Sequence, residues 1–266
     1  MSYLKIENIS QTKNVPIYDL DGKIIGKIDL PKVFLTPVRI DIIRRAFIAS
    51  LTSSIQPQGR DPMAGKRTTA ESRGVGLGIA RVPRIKGSMR AALAPMTVGG
   101  RRAHPPTTFK KIVERINRKE KILAIKSAIA ATSIYNLVVK RGHILYGKKD
   151  LPIIVSDKIQ SIKKTSELRD ILIKLGLWAD IERVKEKIRI RAGKGKMRNR
   201  RYKKGKSLLI VIYEDDGLKR AARNLCGVDI VNVRNVSIKH LAPGGVPGRL
   251  TLWVKSSIEF LREKWG

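Results

Sequence analysis

Short apolar runs and segments of helical spacing alternate along most of this sequence. Four apolar runs have the length of buried strands: Leu151-Pro-Ile-Ile-Val155, Leu208-Leu-Ile-Val-Ile-Tyr213, Asp229-Ile-Val-Asn-Val233 and Leu250-Thr-Leu-Trp-Val254. Apolar residues at helical spacing follow the first, second and fourth runs, in residues 168–176, 218–227 and 258–265. Because apolar strands joined by amphipathic helices are typical of a sheet covered on both faces, the pattern predicts a three-layer α/β/α domain with a mostly parallel sheet.

The first 54 residues predict a hairpin and a helix. Apolar runs within residues 16–30 flank Asp21-Gly22, a pair that supplies the positive φ of a tight β-hairpin turn. Thr36-Pro37 has the cap residue and the first-turn proline of a helix start, and apolar residues at helical spacing follow it to about Ser54. We assign residues 1–54 and 107–266 to one globular α/β domain.

Residues 55–106 have the pattern of neither a helix nor a strand. Between residues 56 and 108 there is no Phe, Tyr or Trp, while Gly, Pro and Arg recur every few residues. Such a segment cannot bury enough apolar surface to offset the entropy lost on ordering, so a partner must order it. We therefore predict an extended arm inserted after the first helix.

Helical spacing resumes at Phe109, in a long helix predicted to end at Arg141-Gly142.

The charge of the chain indicates the class of its partner. There are 56 Lys and Arg residues against 22 Asp and Glu, which gives a formal net charge of +34. An excess of this size needs a polyanion, and nucleic acid is the most economical one. No apolar stretch approaches the roughly 20 residues of a membrane-spanning helix, and the first residues do not resemble a signal peptide. We therefore expect a cytoplasmic protein with a nucleic-acid partner and no membrane contact.

The residues that bind metals or form disulfides are few. The lone Cys226 excludes an internal disulfide and a multi-cysteine zinc site, and it is compatible with a reducing compartment. Three histidines, His104, His143 and His240, lack metal-ligand spacing, so we expect surface imidazoles that contact solvent or phosphate. No metal ion or cofactor is predicted.

The predicted arm concentrates arginine, glycine and positive charge. Arginine pairs bidentately with phosphate and stacks on bases, and glycine lets the backbone approach a sugar-phosphate surface closely. Only Asp61 and Glu71 oppose the cations of this segment. We therefore predict that the arm binds RNA. Its cations are Arg60, Lys66, Arg67, Arg73, Arg81, Arg84, Lys86, Arg90, Arg101, Arg102 and Lys110.

A second basic cluster lies in residues 194–206, just before the strand that begins at Leu208. It contains no acidic residue and one aromatic residue, Tyr202, which can stack on a base. The pattern favours a loop that presents charge to the same RNA, and a mobile solubilising loop is the alternative. The predicted contacts in this cluster are Lys194, Lys196, Arg198, Arg200, Arg201, Tyr202 and Lys203.

Three motifs admit a second interpretation. The Gly-x-Gly-x-Gly at residues 74–78 lacks the preceding strand, following helix and acidic residue of a dinucleotide site. Glu214-Asp215-Asp216 follows a predicted strand and is the best candidate for a catalytic or magnesium site, but Asp216-Gly217 is also typical of a turn and helix cap. The loop of residues 243–249 is typical of a rigid turn from which Arg249 can reach RNA.

Several motifs resemble the archaeal and eukaryotic branch of the large-ribosomal-subunit protein four family. They occur in family order: Ile17-Tyr-Asp-Leu-Asp-Gly22, Val33-Phe-Leu-Thr-Pro-Val-Arg39, Ala70-Glu-Ser-Arg-Gly74, Ala80-Arg-Val-Pro83, Gly100-Arg-Arg-Ala-His-Pro-Pro106, Lys126-Ser-Ala-Ile-Ala-Ala-Thr132, Ala221-Ala-Arg-Asn-Leu225 and Leu241-Ala-Pro-Gly-Gly-Val-Pro-Gly-Arg-Leu250. The resemblance implies a three-layer domain on the ribosome exterior and an arm that runs inward through large-subunit rRNA. It also implies an arm tip at the constriction of the polypeptide exit tunnel.

The resemblance assigns roles by position. It implies three partners: large-subunit rRNA, neighbouring ribosomal proteins and the nascent polypeptide. This sequence has Arg73 where an aromatic residue is common and Leu77 where arginine is common. The implied tunnel-lining residues are Arg73, Gly74, Val75, Gly76, Leu77, Gly78, Ile79 and Arg81. The predicted rRNA-binding residues are Arg60, Lys66, Arg67, Arg84, Lys86, Arg90, Arg101, Arg102 and His104 in the arm, the cluster in residues 194–203, and Arg249.

Two other functions are compatible with the charge. One is an RNA-modifying or RNA-cleaving enzyme that uses the arm as a substrate clamp, with Asp215 and Asp216 as its only candidate reaction site. The other is a regulatory factor that binds messenger RNA, a role that can coexist with a place in the ribosome. We predict a non-catalytic ribosomal protein.

Overall fold

The computed structural model describes residues 14–145 and 150–265. The chain divides into two compact units. One consists of Met1–Leu51 together with Arg115–Gly266, and we call it the α/β unit. The other is Thr52–Glu114, and we call it the inserted unit. The arm predicted at residues 55–106 lies within the inserted unit.

A six-stranded, mostly parallel sheet forms the centre of the α/β unit, as predicted. Its strand order is β2-β1-β3-β8-β6-β7, in which β1 and β2 are antiparallel and every other neighbouring pair is parallel. The antiparallel pair is the hairpin predicted around Asp21-Gly22, and Gly22 has a φ of 79°. The strands are β1 (Asn14–Tyr18), β2 (Ile24–Asp29), β3 (Ile153–Val155), β6 (Leu209–Ile212), β7 (Asp229–Asn232) and β8 (Thr251–Val254).

Helices cover both faces of this sheet and give it the predicted three layers. Successive strand residues point to opposite faces, so Ile154 and Trp253 pack on one side while Ile153 and Leu252 pack on the other. This is why every residue of β3, β6 and β8 is buried. The helices are α1 (Ile40–Thr52), α2 (Arg118–Thr132), α3 (Tyr135–Lys140), α4 (Thr165–Lys174), α5 (Trp178–Glu186), α6 (Leu218–Ala222), α7 (Ile238–Leu241) and α8 (Lys255–Trp265).

The two faces bury different helices. The Trp253 face packs against α1, α2, α7 and α8, and Phe34 meets Trp253 edge-on with ring centroids 5.7 Å apart. The Leu252 face packs against α3, α4, α5 and α6. The sheet therefore lies between two separate hydrophobic layers.

Two predicted helix boundaries are wrong. Thr36 does not cap α1, because a 3₁₀ helix at Lys32–Leu35 ends there and α1 begins at Ile40. The long helix predicted from Phe109 is shorter and is broken. It begins as α2 at Arg118 and ends before α3 starts. At this break the Ser133 hydroxyl donates a hydrogen bond to the carbonyl of Ala130 at 2.8 Å. The predicted cap at Gly142 is confirmed, with a φ of 91°.

Several elements of the α/β unit were not predicted, among them the short helix α7. Helix α5 follows α4 directly after Gly176, in a sequence whose apolar residues are too few to stand out. The basic cluster is not a simple loop. It contains a small antiparallel sheet of β4 (Arg189–Ile190) and β5 (Tyr202–Lys203), joined by a turn that includes a 3₁₀ helix at Lys194–Arg198.

The inserted unit has no helix or strand between residues 53 and 114. Ala70 is the single buried residue in this part of the chain, and neither hydrophobic cluster takes a member from it. Its internal order comes from backbone hydrogen bonds and from isolated bridges that pair Arg84 with both Glu71 and Ala91. The inserted unit therefore has no hydrophobic core.

Candidate nucleic-acid interface

The cations of the inserted unit are almost all exposed and without acidic partners. Arg67 with Asp61 is the one ion pair among the residues that the structure describes in this unit. The hydrogen bond from Arg67 holds the pKa of Asp61 below its usual value, so this carboxylate stays charged. The remaining positive charge is uncompensated. The exposed predicted contacts are Arg60, Lys66, Arg67, Arg73, Arg81, Lys86, Arg90, Arg101, Arg102 and His104.

Two close contacts hold the outgoing segment (residues 55–70) against the returning segment (residues 94–114), and a third holds the returning segment against itself. The backbone N–H of Arg60 donates to the carbonyl of Pro106 at 3.1 Å. A Cβ at Gly65 would lie 2.5 Å from the carbonyl oxygen of Gly100, and one at Gly100 would lie 1.9 Å from that of Ala94. Only glycine permits this approach. Cations of both segments are therefore held in one narrow structure.

The predicted tunnel-facing tip lies around Glu71 to Arg84, where residues 72–83 form a closed loop. Glu71 and Arg84 close it through two backbone hydrogen bonds of 3.1 and 3.0 Å. Inside the loop, Gly74, Gly76 and Gly78 have φ values of 78°, 88° and 64°, and no atom would contact a Cβ at any of them. Val75 and Leu77 are 67% and 58% exposed, whereas Ile79 is half-buried. The tip therefore presents apolar side chains and open backbone to its surroundings.

Two arginines of the tip have partners within the inserted unit. The Arg84 guanidinium donates to the carbonyl of Met89, and its Nε is buried without a hydrogen-bond partner. The Arg73 guanidinium contacts the sulfur of Met89 at 3.3 Å. Arg84 therefore stabilises the base of the loop, and it is also a candidate phosphate contact.

The basic cluster forms what we call the basic hairpin (residues 187–206). Arg189 pairs with Lys203 and Ile190 with Tyr202, and the N–H of Arg191 donates to the carbonyl of Arg201 at 2.7 Å. All of its predicted contacts are exposed: Lys194, Lys196, Arg198, Arg200, Arg201, Tyr202 and Lys203. Residues 187–204 make no ion pair with any acidic residue that the structure describes.

The prediction that Arg249 contacts RNA is wrong, because its side chain is fully buried. Its guanidinium donates to the carbonyls of Ser207 at 2.8 Å and His240 at 2.9 Å, and it pairs with Asp229 at 2.7 Å. Burial lowers the pKa of Arg249, but the neighbouring Asp229 carboxylate opposes that shift. Arg249 is a core residue whose hydrogen-bonding capacity is used inside the protein.

Asp229 links the basic hairpin to this core arginine. Lys206, the last hairpin residue, donates to both Asp229 oxygens at 2.8 Å. Burial alone would raise the pKa of Asp229, but the hydrogen bonds from Lys206 and Arg249 hold it below its usual value. One carboxylate therefore fixes the base of the hairpin to the sheet.

Several contacts hold the loop of residues 243–249, for which we predicted a rigid turn. Arg141 donates to the carbonyls of Val246 and Pro243, and burial lowers the pKa of Arg141 to about 10. A Cβ at Gly248 would lie 2.6 Å from the carbonyl oxygen of Leu137. The loop therefore packs on α3.

The prediction that all histidines lie at the surface is wrong for His143. This residue is buried, and its Nδ1 lies 3.0 Å from Asp180, which also accepts from Arg183 at 3.0 Å. Burial lowers the pKa of His143, so the ring is neutral and its Nδ1–H donates a hydrogen bond to the carboxylate. His240 is half-buried and closes a capping box with Ser237 at the start of α7. The sequence carried no sign of these partners.

The candidate reaction site at Asp215 is a helix cap. Its Oδ1 accepts from the backbone N–H groups of Gly217 at 3.3 Å and Lys219 at 3.1 Å, which satisfies the first turn of α6. Gly217 of the predicted Asp216-Gly217 pair does precede α6, but the side chain that accepts from the helix is that of Asp215 and not that of Asp216. Residues 14–145 and 150–265 contain no group of three or more potential metal ligands, and no helix among them is long and apolar enough to cross a membrane.

Comparison with known proteins tests the family resemblance. The family model described as "Ribosomal protein L4/L1 family" matches residues 28–264. A protein named large ribosomal subunit protein uL4 from Saccharolobus islandicus is 53% identical over 253 residues, which is 95% of each chain. Proteins of the same name from Saccharolobus solfataricus and Sulfurisphaera tokodaii are each 54% identical, over 95% and 96% of each chain. The resemblance is confirmed, and the chain belongs to the ribosomal protein L4/L1 family.

Proposed function

We propose that this chain is a structural protein of the large ribosomal subunit that binds large-subunit rRNA. The observation that carries the proposal is the uncompensated charge on two exposed structures, the inserted unit and the basic hairpin. Surfaces of this kind bind polyanions by releasing condensed counterions. The relatives' name, large ribosomal subunit protein uL4, supports rRNA as that polyanion and the ribosome, in the cytoplasm, as its location.

The inserted unit has two roles in this proposal. Its basic flanks, in residues 60–67 and 84–102, bind rRNA and assist its assembly. The closed loop of residues 72–83 lines part of the polypeptide exit tunnel, where Val75 and Leu77 face the nascent chain. A loop in contact with a passing polypeptide of any sequence needs no deep pocket. Its exposed apolar side chains and open glycines support that role.

The chain acts without catalysis in this proposal. An enzyme needs a nucleophile, a base or a metal at a shared site, and of the two candidates, Asp215 and Asp216, the first is engaged at the start of α6. The remaining surface of the α/β unit then serves contacts with rRNA and with neighbouring ribosomal proteins.

The salt dependence of rRNA binding tests the proposal. If the chain contacts on the order of ten phosphates, a plot of log affinity against log salt has a slope of roughly −7 to −9. The measurement is filter binding of the full chain to large-subunit rRNA between 50 and 400 mM salt, with small-subunit rRNA as the matched competitor. A slope near zero, or equal affinity for both rRNAs, contradicts the proposal.

A further inference from the structure

The basic hairpin has two chemically different faces. Directly opposed residues of an antiparallel pair share one face, and the next pair along occupies the other. Ile190 and Tyr202 are one such pair, and Arg189 and Lys203 are the next. One face of the small sheet is therefore apolar and aromatic, whereas the other is cationic.

The apolar face is open. Ile190 is 56% exposed and Tyr202 is 52% exposed, in a segment whose other long side chains are nearly all Lys or Arg. Phosphate binding alone gives no reason for a large apolar pair at this position, because phosphates are contacted by the cations. The pair indicates a ligand that is a polyanion and also has a flat apolar surface.

The aromatic ring is held by a neighbour. The Arg201 guanidinium lies 5.8 Å from the centroid of the Tyr202 ring, within the range of a cation–π contact. Ile190 lies beside the ring across the strand pair. A ring that already has these neighbours loses less side-chain freedom when a second flat group stacks on it than an isolated ring does.

We infer that Ile190 and Tyr202 form a platform on which an unpaired rRNA base stacks, while Arg189 and Lys203 contact phosphates on the opposite side. The inference rests on the proposed function, because it takes rRNA as the partner. A base inside a duplex has no free face, so the ligand is a base in a bulge, a loop or a single strand. The hairpin then lies between two RNA segments and joins them.

A matched pair of substitutions separates the two faces. Tyr202→Ala in the full chain removes the stacking surface and lowers the affinity for large-subunit rRNA by about 5- to 150-fold, with the slope of log affinity against log salt unchanged. Tyr202→Phe keeps the ring and restores the affinity. Lys203→Gln changes the other face, and it makes the slope shallower by about 0.7 to 0.9. Both side chains are exposed, so thermal unfolding of all three variants matches the parent.

Base-specific chemical probing of the rRNA identifies the ligand. We expect at least one base to be protected by the parent chain and by Tyr202→Phe but reactive with Tyr202→Ala. Unchanged affinity in Tyr202→Ala, or a loss that changes the salt slope as Lys203→Gln does, overturns the inference. So does a cross-link from position 202 to a ribosomal protein in place of RNA. If the parent chain itself shows no salt-dependent rRNA binding, the proposed function fails first, and the two failures are distinct.

Discussion

The α/β unit and the inserted unit use the same residue, arginine, in opposite ways. In the α/β unit, Arg249 is fully buried, and its guanidinium is satisfied by an acidic partner and backbone carbonyls. In the inserted unit, arginines such as Arg60, Arg101 and Arg102 are exposed and make no ion pair with any residue that the structure describes. The comparison teaches that a charged residue's role follows from what surrounds it, which its own sequence position does not reveal.

The two units also differ in what stabilises them. The α/β unit buries two apolar layers against its sheet, and that burial is the dominant favourable term in folding. The inserted unit has backbone hydrogen bonds and close glycine contacts but no core. We therefore expect folding to depend on the first unit and RNA affinity to depend chiefly on the second.

Removal of the inserted segment is the strongest test of this contrast. Replacing residues 56–102 by a short Gly-Ser linker deletes ten of the cations that we predict to bind rRNA or line the tunnel. We expect the affinity for large-subunit rRNA at low salt to fall by about 10⁴-fold or more, because each lost phosphate contact forgoes counterion release. Thermal unfolding should remain cooperative. Loss of the unfolding transition would mean that the α/β unit needs the inserted unit to fold.

Substitution of a buried arginine should lower the stability of the protein, whereas substitution of an exposed one should change its binding to rRNA. Arg249→Met leaves Asp229 without its buried partner and several carbonyls unsatisfied, so the free energy of unfolding should fall by about 3–5 kcal/mol. Arg198→Met, in the basic hairpin, should change it by less than about 0.5 kcal/mol but make the salt slope of rRNA binding shallower by about 0.7 to 0.9. Urea unfolding and filter binding measure the two effects. Equal destabilisation by both substitutions would contradict the contrast.

The buried histidine makes the stability of the α/β unit depend on pH. Burial lowers the pKa of His143, so the unfolded chain takes up a proton at a higher pH than the folded chain does. Stability is therefore full above about pH 6.5 and falls as the pH drops below it, by at most about 1.4 kcal/mol per pH unit.

Two substitutions check the origin of this loss. His143→Gln should flatten the dependence in this window, and the rest should disappear with His240→Gln, since burial also lowers the pKa of His240. The exposed His104 is the control, and His104→Gln should leave the curve unchanged. A curve that responds to His104→Gln would argue against burial as the cause.

Asp215 and Asp216, which follow β6, should contribute slightly different amounts to the free energy of unfolding. Asp215→Ala removes the cap of α6 and should cost about 1 kcal/mol of unfolding free energy, whereas Asp216→Ala should cost less than about 0.5 kcal/mol. Neither change should alter rRNA binding or the assembly of large subunits. A loss of function in Asp216→Ala without loss of stability would revive the enzyme alternative.

The sequence predicted the layers of the fold better than its polar contacts. Strands such as Leu209–Ile212 are continuous apolar runs because both faces of the sheet are covered, and that pattern is local and visible. Helix boundaries were missed where capping depends on neighbouring turns, as at Thr36 and Ser133. Local patterns predict elements, but they leave their exact ends open.

The residues of the candidate interface also differ in how well the sequence predicted their surroundings. The exposed cations of residues 60–102 and 194–203 are dense enough to be recognised in sequence. Arg249 was misassigned because its acidic partner, Asp229, is distant in sequence and reaches it only through the sheet. The pairing of His143 with Asp180 was invisible for the same reason. Nothing in a linear sequence states which charged residues a fold brings together.

The paired contacts of the inserted unit fix its length as well as its chemistry. Arg60 meets Pro106, Gly65 meets Gly100, and Glu71 meets Arg84. A residue added beside one of these contacts would displace the groups that meet there. Residues 74–78 lie beyond the last contact, where a Cβ at Gly74, Gly76 or Gly78 would contact no other atom. Insertions and deletions should therefore be tolerated at the tip and excluded from the segments that carry it, so that the reach of this unit varies only at its end.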